Sequence, residues 1–293
     1  MVNLEQFYNK NYKILWIIPV ILLIASIIII ANFNAKTGDF LNKDTSLKGG
    51  ISARVYLDRE VDIIPLEDYL KDNFNSDATV RSLTAIEGAG SGFLIESGDM
   101  RAEDLKTILG DKLQIDLDEN NFFIELTGSK LGDDFYKQMV RALIIAFVFM
   151  GIVIFITFRS FIPSVAVILS AFLDIVGTIA VLDILNVNIS SAGVAALLLL
   201  VGYSVDTDVL LTTRVLKGRE GTVWERIVSS IKTGLTMTIT TLVTMIVGYT
   251  FTNSLVLRQM FSVIFIGLVI DVISTYFMNA GILKWYVTRR ENG

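Results

Sequence analysis

The stretch LLLLVGYSVDTDVLLTTR, residues 197–214, decides how the chain is read. It is apolar enough to lie in a bilayer, yet it carries Asp206 and Asp208. An acid at membrane depth costs roughly 2.5–3.5 kcal/mol on insertion scales. Such residues are rare, turn toward the interior of a helix bundle, and often serve proton or ion movement. Further out, Asp174 and Asp271 stand in runs of the same kind. The chain has no histidine and no cysteine. Any proton relay therefore runs on carboxylates, hydroxyls, Lys or Arg. Disulfides, Cys/His zinc sites, Cys-held iron–sulfur clusters and histidine-based triads are excluded. No metal site and no cofactor is expected.

The 293 residues are 53% hydrophobic, and the mean hydropathy is +0.60. Those values describe an integral membrane protein. The net charge of −5 is segregated along the chain and points to no nucleic-acid partner. Apolar runs predict six spans, at about 14–32, 140–158, 162–184, 190–212, 233–252 and 260–283. The first follows Lys10 and Lys13 and, at this length, reads as an uncleaved signal anchor. Pro163 fits the first turn of the third span. Arg159, the group Arg214, Lys217, Arg219 and Arg226, and the group Lys284, Arg289 and Arg290 fall on the same side as Lys10 and Lys13. Arg258 alone lies in the opposite connections. The bias predicts a multi-pass protein of the cell membrane with both termini cytoplasmic. The expected organisation is a cytoplasmic N-terminus (1–13), span one (14–32), an extracytoplasmic domain (33–138), spans two to six (139–284) and a cytoplasmic C-terminus (285–293).

Residues 33–138 suffice for one small domain. Strands are predicted at 51–57, with Val55 and Leu57 on one face, and at 78–86, 93–96 and 121–126. Helices are predicted at 66–74, opened by Pro65, and at 101–109. The order βαββαβ is the ferredoxin-like α+β arrangement. The glycine cluster Gly88-Ala89-Gly90-Ser91-Gly92 joins two strands and lacks the Lys-Ser/Thr ending of a phosphate loop, so it reads as a hairpin connection.

Spacing of i, i+4 puts Ser170, Asp174 and Thr178 on one helix line in span three. Gly267, Asp271, Thr275 and Asn279 share a line in span six; Gly202, Asp206 and Arg214 in span four; Thr236, Thr240, Thr244 and Gly248 in span five. Small and hydroxyl residues suit helix contact. The simplest arrangement turns all four stripes toward a common interior, with plain packing as the alternative for Thr and Gly. Asp206 and Asp208 are about 200° apart on a helix and cannot face the same neighbour. The line through Gly202 favours Asp206 as the inward one and leaves Asp208 to meet a partner or to cap an interfacial network. The proton or ion relay candidates are Asp174, Asp206, Asp208, Asp271, Arg214 and Lys232. Lys232 could pair with Asp206 or Asp208, or simply snorkel as a cytoplasmic-side lysine.

Three stretches carry a resemblance. Lys48-Gly49-Gly50 follows the first span, where SecD and SecF proteins have a short motif ending in Gly-Gly. Gly202-Tyr203-Ser204-Val205-Asp206-Thr207-Asp208, continuing to Arg214, resembles the SecF signature of the fourth span. Gly128-Ser129-Lys130-Leu131-Gly132 looks like the family's approach to the second span. Over essentially its whole length the chain resembles the archaeal type of SecF, in the RND-like superfamily. Thr207 replaces a bacterial Asp, Thr213 stands where an Asp precedes the Arg, and Leu173-Asp174 replaces a His-Asp pair. Bacterial proton-coupling roles therefore do not carry over position by position. The resemblance implies half of an RND-like bundle, completed by a SecD-type membrane protein. It implies an accessory subunit of the Sec protein-export machinery, working beside the translocon channel on a translocating polypeptide, in contact with membrane lipid. The alternative is half of a small-molecule or lipid exporter, which should carry a larger outer domain. An intramembrane aspartyl protease is disfavoured because its motifs are missing, and no enzyme activity is expected.

Overall fold

The structure is a computed structural model. It describes residues 15–57, 62–74, 78–83, 92–98, 100–118, 120–218, 221–252 and 254–291. Lys10, Lys13, Arg219 and the 88–91 part of the glycine-rich connection lie outside the described residues.

The long apolar helix α1 (Ile17–Thr37) ends at Gly38, whose left-handed conformation lets its N–H cap the Asn34 carbonyl. A strap leads to a single turn, α2 (Thr45–Lys48), capped by Asp44 through the Ser46 amide. The α+β domain follows: β1 (Gly50–Tyr56), α3 (Ile63–Phe74), β2 (Thr79–Leu83), β3 (Gly92–Ser97), α4 (Ala102–Leu113) and β4 (Phe122–Thr127). Strand order is β2-β3-β1-β4, antiparallel throughout. This is the expected βαββαβ topology, with Val55 facing Phe93 and Phe122 in register. Period-two alternation sends Ile51, Ala53 and Val55 to one face. There they meet Leu66 and Leu70 of α3 and Leu105 and Leu109 of α4, and Leu57 joins them. Ser52, Arg54 and Tyr56 go to the other face, which lines a cavity of about 920 Å³ above the helical bundle.

The bundle comprises α5 (Ser129–Phe158), α6 (Phe161–Ile184), α7 (Ser191–Lys217), α8 (Val223–Phe251), α9 (Leu255–Ile273) and α10 (Ala280–Glu291). A π-helical turn, Ser274–Asn279, joins α9 to α10. Among the described residues six helices are long and apolar enough to cross a membrane, α9 and α10 counting as one. Helices α6 and α7 are largely buried, whereas α5 and α8 show bare apolar faces, such as Ile144, Val148 and Phe149 on α5. Helices extend beyond several expected spans: α5 begins at Ser129 rather than near 140, and α8 at Val223 rather than near 233. The added turns are polar, so hydropathy alone does not register them. A capping box of Thr222 and Glu225 starts α8.

Two of the quoted motifs meet. Gly49 has φ +83°, and a Cβ there would lie 2.3 Å from the Ser129 Cα. A Cβ on Gly132 would lie 2.6 Å from the Gly49 nitrogen. Gly50, at φ +125°, passes as closely over the Ser97 carbonyl. The Gly-Gly pair and the Gly128–Gly132 approach are thus the two sides of one backbone-to-backbone contact that seats the α+β domain on α5.

Candidate functional site

Three of the four intramembrane acids converge. Asp174 from α6, Asp208 from α7 and Asp271 from α9 are each essentially inaccessible. Ser204 donates to Asp174 Oδ2, and Ser274 donates to Asp174 Oδ1 at 2.5 Å. Asn279 Nδ2 donates to Asp208 Oδ1 at 2.7 Å. Thr275 Oγ1 lies 2.8 Å from Asp208 Oδ1 and 3.1 Å from Asp271 Oδ1. Its single proton serves one carboxylate at a time, so this hydroxyl is shared between two helices' acids. Asp208 Oδ2, Asp271 Oδ2, Ser170 Oγ and Asn279 Oδ1 are buried with no hydrogen-bond partner among the described residues.

Local structure places each group. On α6 the line Ser170, Asp174, Thr178 is fully inward, as its spacing predicts. Thr178 turns its hydroxyl back to the Asp174 carbonyl, leaving the Asp174 carboxylate to its neighbours. On α9 the line Gly267, Asp271, Thr275, Asn279 is also inward. A Cβ on Gly267 would lie 2.2 Å from Leu200, so glycine lets α9 close on α7. The π turn widens the helix, so that Ser274 and Thr275 both reach the cluster, one toward Asp174 and the other toward Asp208.

Two expectations are corrected. Asp206 does not face inward: it is exposed with Gly202, where an added Cβ would meet nothing within 4 Å. Asp208 is the inward acid of α7. The small residue that suggested close approach to the interior instead opens the outer side of the helix. The α8 stripe is corrected likewise. Thr236, Thr240 and Thr244 are exposed and satisfy their hydroxyls on their own helix's carbonyls. Ser230, Gly234 and Thr238 form the buried line of α8 instead.

The cationic candidates stand apart. Lys232 is exposed and makes no ion pair with Asp206 or Asp208 among the described residues. Arg214 reaches across to α8, donating to the Ser229 carbonyl at 2.9 Å and to Thr233 Oγ1 at 2.9 Å. In the fourth-span motif, Tyr203 also bridges to α8 through Thr241 and the Met237 carbonyl, while Ser204 enters the cluster. Ser274 and the part played by Ser204 are absent from the stripes read off the sequence. Ser204, Asp208 and Thr212 form an i, i+4, i+8 line with the pattern of the α6 stripe, and all three are fully buried. That line is the signal that identifies the inward face of α7.

The geometry agrees with known proteins. The family model "Protein export membrane protein SecD/SecF, C-terminal" matches residues 111–289. The protein-export membrane protein SecF of Methanocaldococcus jannaschii is 35% identical, over 95% of this chain and 97% of its own length. That of Methanolacinia petrolearia is 38% identical, over 93% of both. Among solved structures, SecDF of Thermus thermophilus, a translocon-associated membrane protein, superposes with TM-score 0.73 at 19% identity, over 96% of this chain. This chain spans 38% of that SecDF chain. A likeness at that identity speaks for the fold, which is the six-span bundle with its α+β domain. Taken with the near full-length identities, it places the chain in the SecF family of protein-export membrane proteins.

Proposed function

We propose that the chain is the SecF-type half of an accessory machine for protein export. It pairs with a SecD-type membrane protein and acts beside the Sec channel on the translocating polypeptide. Proton or ion passage through the Asp174–Asp208–Asp271 cluster drives it, and the chain carries out no catalysis. The observation behind the drive is the cluster itself. Three carboxylates from three helices converge, Asp208 and Asp271 share the Thr275 hydroxyl, and two carboxylate oxygens have no partner among the described residues. A carboxylate in that setting must be protonated, hydrated or bound to a cation, so its occupancy can change while the helices stay assembled. The open Gly202–Asp206 face of α7 and the bare apolar faces of α5 and α8 supply the surface for the SecD-type half, with lipid covering what remains. The Lys/Arg bias supports a topology with both termini in the cytoplasm and the α+β domain outside.

The test is export of a secretory precursor into energised vesicles holding this chain with its SecD-type partner. Asp208→Asn should lower the stimulation at least about tenfold, as does loss of a residue that a relay cannot bypass, with partner assembly unchanged. An uncoupler should lower wild type to the same level and leave the variant where it is. Export at the wild-type rate by Asp208→Asn would sink the relay. Orientation is checked separately in this cysteine-free chain: Lys106→Cys should label from outside, and Thr222→Cys should not.

A further inference from the structure

Among the described residues, hydrogen bonds tie the three helices of the acid cluster to the α+β domain and its strap at one place. The turn between α6 and α7, residues 185–190, is held from three directions. From α9, Gln259 accepts from the Ser190 amide at 3.2 Å and from its hydroxyl, and donates to the Asn188 carbonyl. From the strap after α1, the Asp44 amide donates to the Ile189 carbonyl at 3.0 Å. The Ile189 amide donates to the Asn42 carbonyl at 2.6 Å. Ser46 Oγ accepts from the Ser191 amide at 3.1 Å. From the sheet, Glu96 of β3 accepts from Asn188 Nδ2 at 3.4 Å. Gly193 leaves room for this arrangement: a Cβ there would lie 2.7 Å from Ile189 and 3.4 Å from Gln259. The turn is also internally closed, with Asn186 and Val187 amides bonded to Asp183 and Leu182 carbonyls.

Every helix carrying an acid of the cluster therefore starts or ends at this knot. Gln259 precedes Asp271 by about 18 Å of helix, and Asp174 precedes the turn by about 16 Å. Over such lengths a packed helix transmits displacement as a rod, and the knot is where α6, α7 and α9 deliver it together. We propose that this knot is a rigid mechanical link between the acid cluster and the α+β domain. Gln259 and Asn188 are its positioning residues: they touch neither ion nor polypeptide, and they make helix motion domain motion. The link rests on the proposed drive, because without movement in the cluster it has nothing to transmit. Five of the six backbone N–H groups of residues 185–190 are engaged, which is what a link that moves as one piece requires, whereas a hinge would leave such groups free to exchange partners.

The test uses the full chain with its SecD-type partner in vesicles, reading precursor export and proton uptake side by side. Gln259→Leu keeps the volume and removes the three side-chain contacts; Asn188→Ala releases Glu96. We expect export stimulation to fall at least about fivefold in Gln259→Leu, with a smaller fall in Asn188→Ala, as for lost coupling between sites. Proton uptake should continue at the wild-type rate. A residue that merely stabilised the fold would lower both. Ser46→Cys with Ser191→Cys supplies the second measurement. In a rigid link the pair oxidises readily and export is the same oxidised or reduced. Wild-type export by Gln259→Leu, export lost on oxidation, or a pair that fails to oxidise would each overturn the link. If Asp208→Asn also exports normally, the drive itself has failed and the link falls with it. If Asp208→Asn is inactive while Gln259→Leu is normal, only the link is wrong.

Discussion

The α+β domain closes its sheet over Leu66, Leu70, Leu105 and Leu109, apolar from side to side. The bundle buries Ser170, Asp174, Ser204, Asp208, Asp271, Thr275 and Asn279 at its centre, and leaves Ile144, Phe149, Ile152 and Val153 of α5 bare. The two parts have the opposite arrangement of polar and apolar side chains because their solvents differ. In water, removal of apolar surface drives folding and the interior carries no chemistry. In lipid that drive between helices is gone, and contact depends on close packing and hydrogen bonds. A bundle can therefore keep a polar centre, with helix backbones satisfied internally. The comparison predicts that stability resides in one core and function in the other, and it can be broken at either end.

The largest stability effect belongs to the domain. Leu105 is fully buried between α4 and the sheet, so Leu105→Ala should cost about 2–5 kcal/mol. Hydrogen exchange of the β1 and β3 amides should accelerate while α6 and α7 keep their protection. Equal loss of protection in the bundle would mean that the two cores are one cooperative unit, and the comparison would fail.

How much of this could be read in advance follows the same division. The spans and the βαββαβ order were legible because each element's own periodicity is set by the solvent it faces. The inward face of a membrane helix was less so. An i, i+4 line names residues that share a face, and the Ser170–Thr178 and Gly267–Asn279 lines are buried as that spacing predicts. It does not say which way a face points when two polar lines occupy one helix. On α7, Gly202–Asp206–Arg214 competes with Ser204–Asp208–Thr212, and the glycine makes the first line look like the contact face. Carboxylate with two hydroxyls was the better guide, because hydroxyls can satisfy a buried acid and glycine cannot. On α8 the threonine line misled because a helical threonine can satisfy itself on the preceding turn. The reach of Ser274 depends on a π turn that no residue pattern in the chain announces, and the knot at 185–190 depends on contacts between distant segments.

A middle-sized effect tests the boundary between the two parts. Asp44 caps α2 and docks the strap on residue 189. Burial pushes its carboxyl from 3.8 up to about 6; the Ser46 hydrogen bond opposes that rise, Glu96 adds to it and Arg81 subtracts. With a raised folded value the docked state binds the proton more tightly. Docking is therefore strongest at low pH, weakens as pH rises from about 4 through about 6, and is level above that, a change of at most about 3 kcal/mol. Exchange of the Ile189 amide should speed up across that window. Asp44→Asn keeps the acceptor for Ser46 and should make the exchange free energy independent of pH. A wild-type profile that is flat, or one that tightens with rising pH, would show that Asp44 is not the group that sets the docking.

The smallest stability effect should come from the substitution with the largest functional one. Asp208→Asn leaves the side chain its shape. The carbonyl oxygen of the introduced amide can still accept from Thr275 and Asn279, which now meet Asp208 Oδ1. The new NH2 group replaces an oxygen that has no partner among the described residues, and brings donors to a place where Asn279 Oδ1 and Ser170 Oγ likewise have none. Removing a charge from a site with no Lys or Arg ion pair among the described residues also removes a desolvation cost. Thermal unfolding of the purified complex should therefore shift by less than about 1 kcal/mol, in either direction, although export stimulation is lost. Asp206→Asn, on the open face, should leave the isolated chain's stability equally unchanged and weaken its association with the SecD-type half instead. If Asp208→Asn unfolded the bundle as Leu105→Ala unfolds the domain, the polar centre would be a structural core after all, and the contrast between the two regions would vanish.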